Sequence, residues 1–286
     1  MKKLKSLYHF LSKKRQTIHL DYPVKFKPRF GHGSNKSKSA LYPIINENRT
    51  EYASLLSLFN AYGSIFQSIK LSSDETDENQ PAWNNEFLPG LDIIALYALV
   101  AEFKPKKYIE VGSGNSTKVV RKAIVDHKLT TKITSIDPFP RANIDHLADN
   151  VLRFPIENMD DHSAFKQLEA GDILFIDNSH RALPNSDVTV CFLEILPILK
   201  PGVIVHVHDI YIPYDYPQFM CDRAYSEQYV LAAFILANPT KYKTIMPNYF
   251  VSEDKELREI LSPIWALKEL DSVERHGGSF WFQIQE

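Results

Sequence analysis

The chain has 286 residues, 44% of them apolar and 24% charged, with a formal net charge of -2. These values suit one large α/β domain with an accessory region and exclude a disordered chain; the charge offers nucleic acid no attracting field, and no basic stripe interleaves with aromatics. Cys191 and Cys221 are too few for a disulfide framework and lack a Cys-x-x-Cys pairing, no apolar run is long enough to span a membrane, and the start lacks the apolar core of a signal peptide, so a cytoplasmic protein is expected.

Met1 to Arg15 set Lys2, Lys3, Lys5, Lys13, Lys14 and Arg15 around Leu4, Leu7, Phe10 and Leu11. This pattern predicts either an amphipathic helix making weak contact with a membrane surface or a solvated helix packed on the domain. His19 to Thr50 is polar and turn-rich and reads as irregular structure. Glu51 to Ile69 carries a helical period through Leu55, Leu58, Phe59, Tyr62, Ile65 and Phe66, and the acidic stretch Ser72 to Gln80 reads as a loop. Residues 1–80 are therefore expected to form an N-terminal extension of helices and loops, and residues 81–286 the main domain.

Leu91 to Phe103 predicts a helix that ends at Lys104-Pro105 and leads into a short apolar strand. Strands are expected at Tyr108 to Val111, Ile133 to Ile136, Asp172 to Ile176 and Val203 to Val207. Helices are expected between them at Thr117 to His127, Arg141 to Asn150 and Val188 to Leu199. This alternation predicts an α/β fold, a Rossmann-like doubly wound and mostly parallel sheet. A helix at Tyr225 to Leu236 follows. The segment Lys243 to Glu286 adds Tyr249 to Val251, a helix through Glu256 to Leu261 and a strand at Phe280 to Ile284, with antiparallel edge strands expected there.

The first chemical signal is Glu110-Val111-Gly112-Ser113-Gly114-Asn115-Ser116-Thr117, where the first strand turns into a helix. Glycine lets backbone approach a ligand, and a helix start offers free N–H groups. A nicotinamide fingerprint would want glycine or alanine where Thr117 stands, and Glu110 would repel a pyrophosphate while suiting a cationic ligand. The second signal is Asp137 at the end of the next strand, about 20 residues on, where a carboxylate can accept both ribose hydroxyls or cap a helix. The third is the pair of strand ends at Asp177-Asn178-Ser179-His180 and His206-Val207-His208-Asp209. There Asp177, His180, His208 and Asp209 are expected to converge on a reacting centre, with His206 left in the core. Such groups can hold a hard metal ion or remove a proton from an acceptor.

These motifs, with Asn85 to Asp92 and Leu199-Lys200-Pro201-Gly202, resemble those of class I S-adenosylmethionine-dependent methyltransferases, and more narrowly a bacterial subgroup acting on small molecules. The resemblance runs from Trp83 to the C-terminus. It implies S-adenosylmethionine with Glu110, Gly112 and Gly114 around the methionine, Asp137 on the ribose and Glu157 to Asp160, with Asn158 and Met159, beside the adenine; Ser113, Ser116, Thr117 and Asp177 are further cofactor-binding candidates. In related catechol-type enzymes, acids in places like Asp177 and Asp209 hold magnesium. Their shell is completed by an asparagine where this chain has Ile210, so His180 or His208 either replaces that ligand or acts as a metal-free base.

Tyr211 to Pro217, within the segment 211–230, is expected to form a lid over the acceptor or to pack tyrosines on the body. Glu86 and Glu227 are available for polar contacts with the acceptor. The reading is O-methylation of a small molecule such as a sugar, glycan precursor or secondary metabolite, with His208, His180 and Asp177 as catalytic residues. Alternatives are a nicotinamide-dependent oxidoreductase and a non-catalytic interaction module; homo-oligomerisation stays open.

Overall fold

The computed structural model describes residues 10–12, 16–34, 36 and 38–286. The basic N-terminal helix expected from the sequence falls largely on residues 1–9 and 13–15, outside the described residues.

Seven strands form one sheet: β1 Lys107–Val111, β2 Lys132–Ile136, β3 Asn150–Leu152, β4 Ile173–Ile176, β5 Ile204–Val207, β6 Tyr242–Pro247 and β7 Phe280–Ile284. Their order is β3-β2-β1-β4-β5-β7-β6. The first five run parallel, while β7 pairs antiparallel with β5 and β6 antiparallel with β7. This is the Rossmann-like architecture expected. Strands β4 and β5 are buried at every position, as apolar strands covered by helices on both faces must be.

The helix Gly90–Phe103 is apolar on nearly every side and is buried from Gly90 to Ala101, so it belongs inside the fold. It carries one buried acid, Asp92, which becomes important below. The helices Leu41–Glu47, Arg49–Phe59 and Gly63–Ser68 pack Leu41, Ile45, Tyr52, Leu56, Phe59 and Phe66 into the same core as the sheet. The first of these lies in a stretch that the sequence presents as irregular.

Two expected elements differ. Arg141 to Asn150 forms only the short 3-10 turn Asp145–Leu147. Arg121 takes the carbonyl of Leu147, and Asp149 accepts from the backbone N–H of Ile133, so local side-chain bonds compete with helix and draw the chain into β3. Tyr249 to Val251 lies in the helix Asn248–Glu253, and the edge strand sits just before it at β6, ending on Pro247.

Between β1 and β4 the order of the sheet reverses, and the chain leaves the two carboxyl ends in opposite directions. A crevice opens there. Gly112 makes the join possible: its φ is +83°, and a Cβ on it would stand 1.7 Å from the carbonyl oxygen of Asp177.

Candidate active site

The crevice is a cavity of about 360 Å³. Gly112, Ser113, Asp137, Pro138, Phe139 and Ile156 form part of its wall. Asp137 fixes the loops on both sides, accepting from the backbone N–H of Ser113 at 2.8 Å and of Phe139 at 2.7 Å. Asp137, Glu157, Asp177 and Asp187 all face this cavity, and among the described residues the one cationic side chain on it is Arg141. Four carboxylates against one guanidinium suit a cation-bearing nucleoside and repel a pyrophosphate.

Glu110 lies beneath the floor, fully buried, where the hydroxyls of Ser116 and Thr117 donate to its two oxygens. Burial pushes its carboxyl up to about 7, against the pull of those hydroxyls. Glu110 and Thr117 therefore brace the loop, while Ser113, Gly114 and Ser116 line an adjoining small cavity with Arg141 and Asp177. On the far side the lining comes from Pro155, Ile156 and Glu157, with Asn158 and Met159 just beyond it. Asn178 and Asp187 also line the cleft.

Past Asp177 the cleft continues into a larger cavity of about 660 Å³ at the ends of β4 and β5, lined among others by Glu86, His180, His208, Asp209 and Tyr225. Here the structure brings together Asp177, His180, His208 and Asp209 as expected. Nε2 of His180 stands 3.4 Å from Asp177 and 3.4 Å from Asp209. Nδ1 of His208 stands 3.5 Å from Asp177 and 3.8 Å from Asp209. His180 and Asp209 both adopt left-handed backbone, with φ of 61° and 55°, a conformation that costs a non-glycine residue energy and that the surrounding packing has to hold.

Each imidazole is backed by a buried acid. Nδ1 of His180 meets Glu227 at 3.0 Å, and Nε2 of His208 faces Asp92 at 3.4 Å. Asp92 is anchored by the backbone N–H groups of Gly278 and Ser279 and by Asn248. Glu227, offered by the sequence as an acceptor contact, is instead fully buried behind His180. Burial alone would strip both imidazoles of charge, but the carboxylates of Asp177 and Glu227 outweigh it and push His180 up to about 10. His208 is likewise raised well above its ordinary value by Asp177 and Asp209 in spite of burial. The same pairing holds Asp177 far below the usual carboxylate range, against desolvation. His206, as expected, is a core residue: it stacks on Phe175, bonds Ser279, and is driven neutral by burial.

The segment after β5 folds over this cavity. Tyr211, Tyr216, Met220, Cys221 and Tyr225 form a small apolar cluster of their own. Residues of the N-terminal extension strap it down: the backbone N–H of Arg29 donates to Asp215 at 2.6 Å, and Ser39 donates to the carbonyl of Pro213 at 2.6 Å.

An ion at Asp177 and Asp209, one of the two readings that the resemblance leaves open, does not fit this arrangement. Among the described residues no three His, Cys, Asp or Glu side chains form a group that could hold a metal. The two acids share their front with Nε2 of His180 and Nδ1 of His208, and imidazole is a poor ligand for a hard ion such as magnesium.

Residues 109–210 match the family model described as a methyltransferase domain. No curated protein matches the chain. Similar solved structures include the S-adenosylhomocysteine-bound methyltransferase of Podospora anserina, at 12% identity over 68% of this chain and 78% of that one, with a TM-score of 0.40. A candidate methyltransferase of Thermobifida fusca shares 13% identity over 70% and 85% of the two chains, TM-score 0.40. A cyclopropane-fatty-acyl-phospholipid synthase-like protein of Lactobacillus casei shares 14% over 70% and 95%, TM-score 0.33.

Proposed function

We propose that this chain, whose residues 109–210 match a methyltransferase domain, is a class I S-adenosylmethionine-dependent enzyme that transfers a methyl group to a hydroxyl of a small polar acceptor seated under the 211–230 segment. The observation that carries this reading is the acid-rich cleft at the β1/β4 reversal, joined through Asp177 to a second cavity that holds two charged imidazoles. When bound, S-adenosylmethionine supplies a methyl group on a sulfonium, open to in-line displacement by a nucleophile. The loop from Ser113 to Ser116 would hold its amino-acid portion, Asp137 its ribose, and Ile156 with Glu157 the side of its adenine.

The imidazole of His180 is pushed up to about 10 and that of His208 well above its ordinary value by the facing carboxylates, so in this reading both act as proton donors and the general-base role expected for them is recast. Their contacts to Asp177 and Asp209, at 3.4–3.8 Å, are longer than charge-assisted hydrogen bonds, which leaves the front nitrogens able to donate to an acceptor oxygen. Two imidazolium donors would stabilise the negative charge that develops on that oxygen as Asp209 takes its proton, and the new methyl–oxygen bond would replace the methyl–sulfur bond, with S-adenosylhomocysteine as the leaving group. Asp92 and Glu227 are positioning residues that keep each ring oriented and charged. Holding acceptor and methyl in line supplies much of the acceleration.

A nicotinamide dinucleotide would set its pyrophosphate among the four carboxylates of the cleft, which disfavours an oxidoreductase. A non-catalytic module gives no reason to hold four acids and two imidazoles together at strand ends. The test is incubation with methyl-labelled S-adenosylmethionine and a panel of hydroxylated sugars, sugar phosphates, hydroxy acids and phenols. Label in an acceptor, lost in His208→Gln, supports the reading; label with none of the panel and reduction of NAD by any of them overturns it.

A further inference from the structure

The wall of the acceptor cavity on the lid side carries two arginines that no acid neutralises. The Cζ of Arg223 lies 4.6 Å from the centroid of the Tyr225 ring, and that of Arg181 lies 5.1 Å from the same ring. Both line the cavity. Elsewhere Arg49, Arg121 and Arg153 spend their charge on Asp254, Asp149 and Asp145. Among the described residues, neither Arg181 nor Arg223 has a carboxylate within ion-pair distance.

Arg181 is nonetheless held in place. Its Nε donates to the carbonyl of Arg223 at 3.0 Å and a terminal nitrogen donates to the carbonyl of Ser179 at 2.7 Å. That leaves further N–H groups of the fork without a partner among the described residues. Two guanidinium groups gathered at one ring, with the nearest cavity acids already facing imidazoles, make a planar donor set suited to an anion.

We infer that Arg181 and Arg223 form an anion subsite that selects an acceptor bearing a phosphate or carboxylate group. The inference rests on the methyltransferase reading for the word acceptor, and it deepens that reading by naming the chemical class. The ring of Tyr225 is stacked on the ring of His180 at 4.7 Å, so one aromatic ring separates the imidazole that faces the reacting hydroxyl from the guanidiniums. An anion and a methylated oxygen so placed belong to one compact molecule. Glu86 and Glu274 line the same cavity and offer acceptors for hydroxyl groups between the two ends. A phosphorylated or carboxylated polyol meets all three demands.

The test is calorimetric titration of the full chain with inorganic phosphate and, separately, with acetate, each with and without S-adenosylhomocysteine. At least one anion is expected to bind saturably, and the tighter of the two identifies the preferred group. In Arg181→Gln/Arg223→Gln the affinity should fall at least tenfold, as loss of charged hydrogen bonds requires, while the affinity for S-adenosylhomocysteine stays within twofold. Arg223→Gln alone removes a side chain with no hydrogen bond among the described residues, so it should fold normally and still weaken the anion. The exposed Arg258→Gln serves as the control and should change nothing. Equal anion binding by wild type and both variants, or binding of neither anion by a protein that takes up S-adenosylhomocysteine, overturns the inference. Failure to bind S-adenosylhomocysteine strikes instead at the methyltransferase reading, so the two failures are separable.

Discussion

The two halves of the crevice are built on different physics. On the β1–β3 side, position is set by backbone: Gly112 at positive φ against the carbonyl of Asp177, and Asp137 accepting two backbone N–H groups. On the β4–β5 side, position is set by charge: two imidazoles, each between a buried acid behind and shared aspartates in front. A backbone-built wall can hold an invariant ligand with little dependence on pH. A charge-built wall is tunable, and its order depends on every proton in it staying where it is.

This contrast is broken most severely at the join. Gly112→Ala sets a methyl group on the Asp177 carbonyl and demands a backbone conformation that alanine rarely adopts. The expected loss is about 3 kcal/mol or more of stability, with S-adenosylhomocysteine affinity down at least a hundredfold, read by urea unfolding and calorimetry. Folding and binding indistinguishable from wild type would mean that the two strand ends do not touch.

Next is the charge-built side. Glu227→Gln takes away the acid behind His180 and leaves an imidazolium buried without its partner; about 2–4 kcal/mol of stability should go at pH 7, with far less effect on S-adenosylhomocysteine affinity. A variant as stable as wild type would show that the pair carries no charge. The sign with pH follows from His180, whose imidazole is raised from 6.5 to about 10. The folded chain holds that proton more tightly than the unfolded chain does, so the stabilisation is full below pH 6.5 and is lost as pH rises toward 10. His180→Gln should flatten the decline over that window. Imidazole NMR offers a direct view: His180 and His208 doubly protonated at pH 8, His206 neutral; a neutral His180 at pH 7 would restore it as a general base.

The smallest expected effect concerns metal. With imidazolium groups opposite Asp177 and Asp209, a chelator should leave the melting temperature unchanged. A rise on adding magnesium or manganese that Asp209→Asn abolishes would replace the charge-only account with a metal centre.

Legibility in the sequence divides along the same line. The sheet was readable because parallel strands buried on both faces are short apolar runs between helices, and the strand-end residues Asp137, Asp177, His180, His208 and Asp209 follow from that placement alone. Hidden were the partners that meet only after folding. Asp92 sits in the first turn of its helix and bonds Asn248 across 156 residues, and Glu227 reaches His180 across 47. Neither gives a local signal, since an acid in the first turn of an apolar helix looks the same whether it backs an imidazole or faces water. The burial of Glu110 is equally hidden, because the hydroxyls of Ser116 and Thr117 that draw it inward are also ordinary helix-start residues. The three-residue β3 carries no periodicity.

The most direct measurement is calorimetric titration of the purified chain with S-adenosylhomocysteine and with NAD. The account predicts saturable one-to-one binding of the first, lost in Asp137→Ala, and no heat from the second. Binding of NAD with silence toward S-adenosylhomocysteine would contradict it.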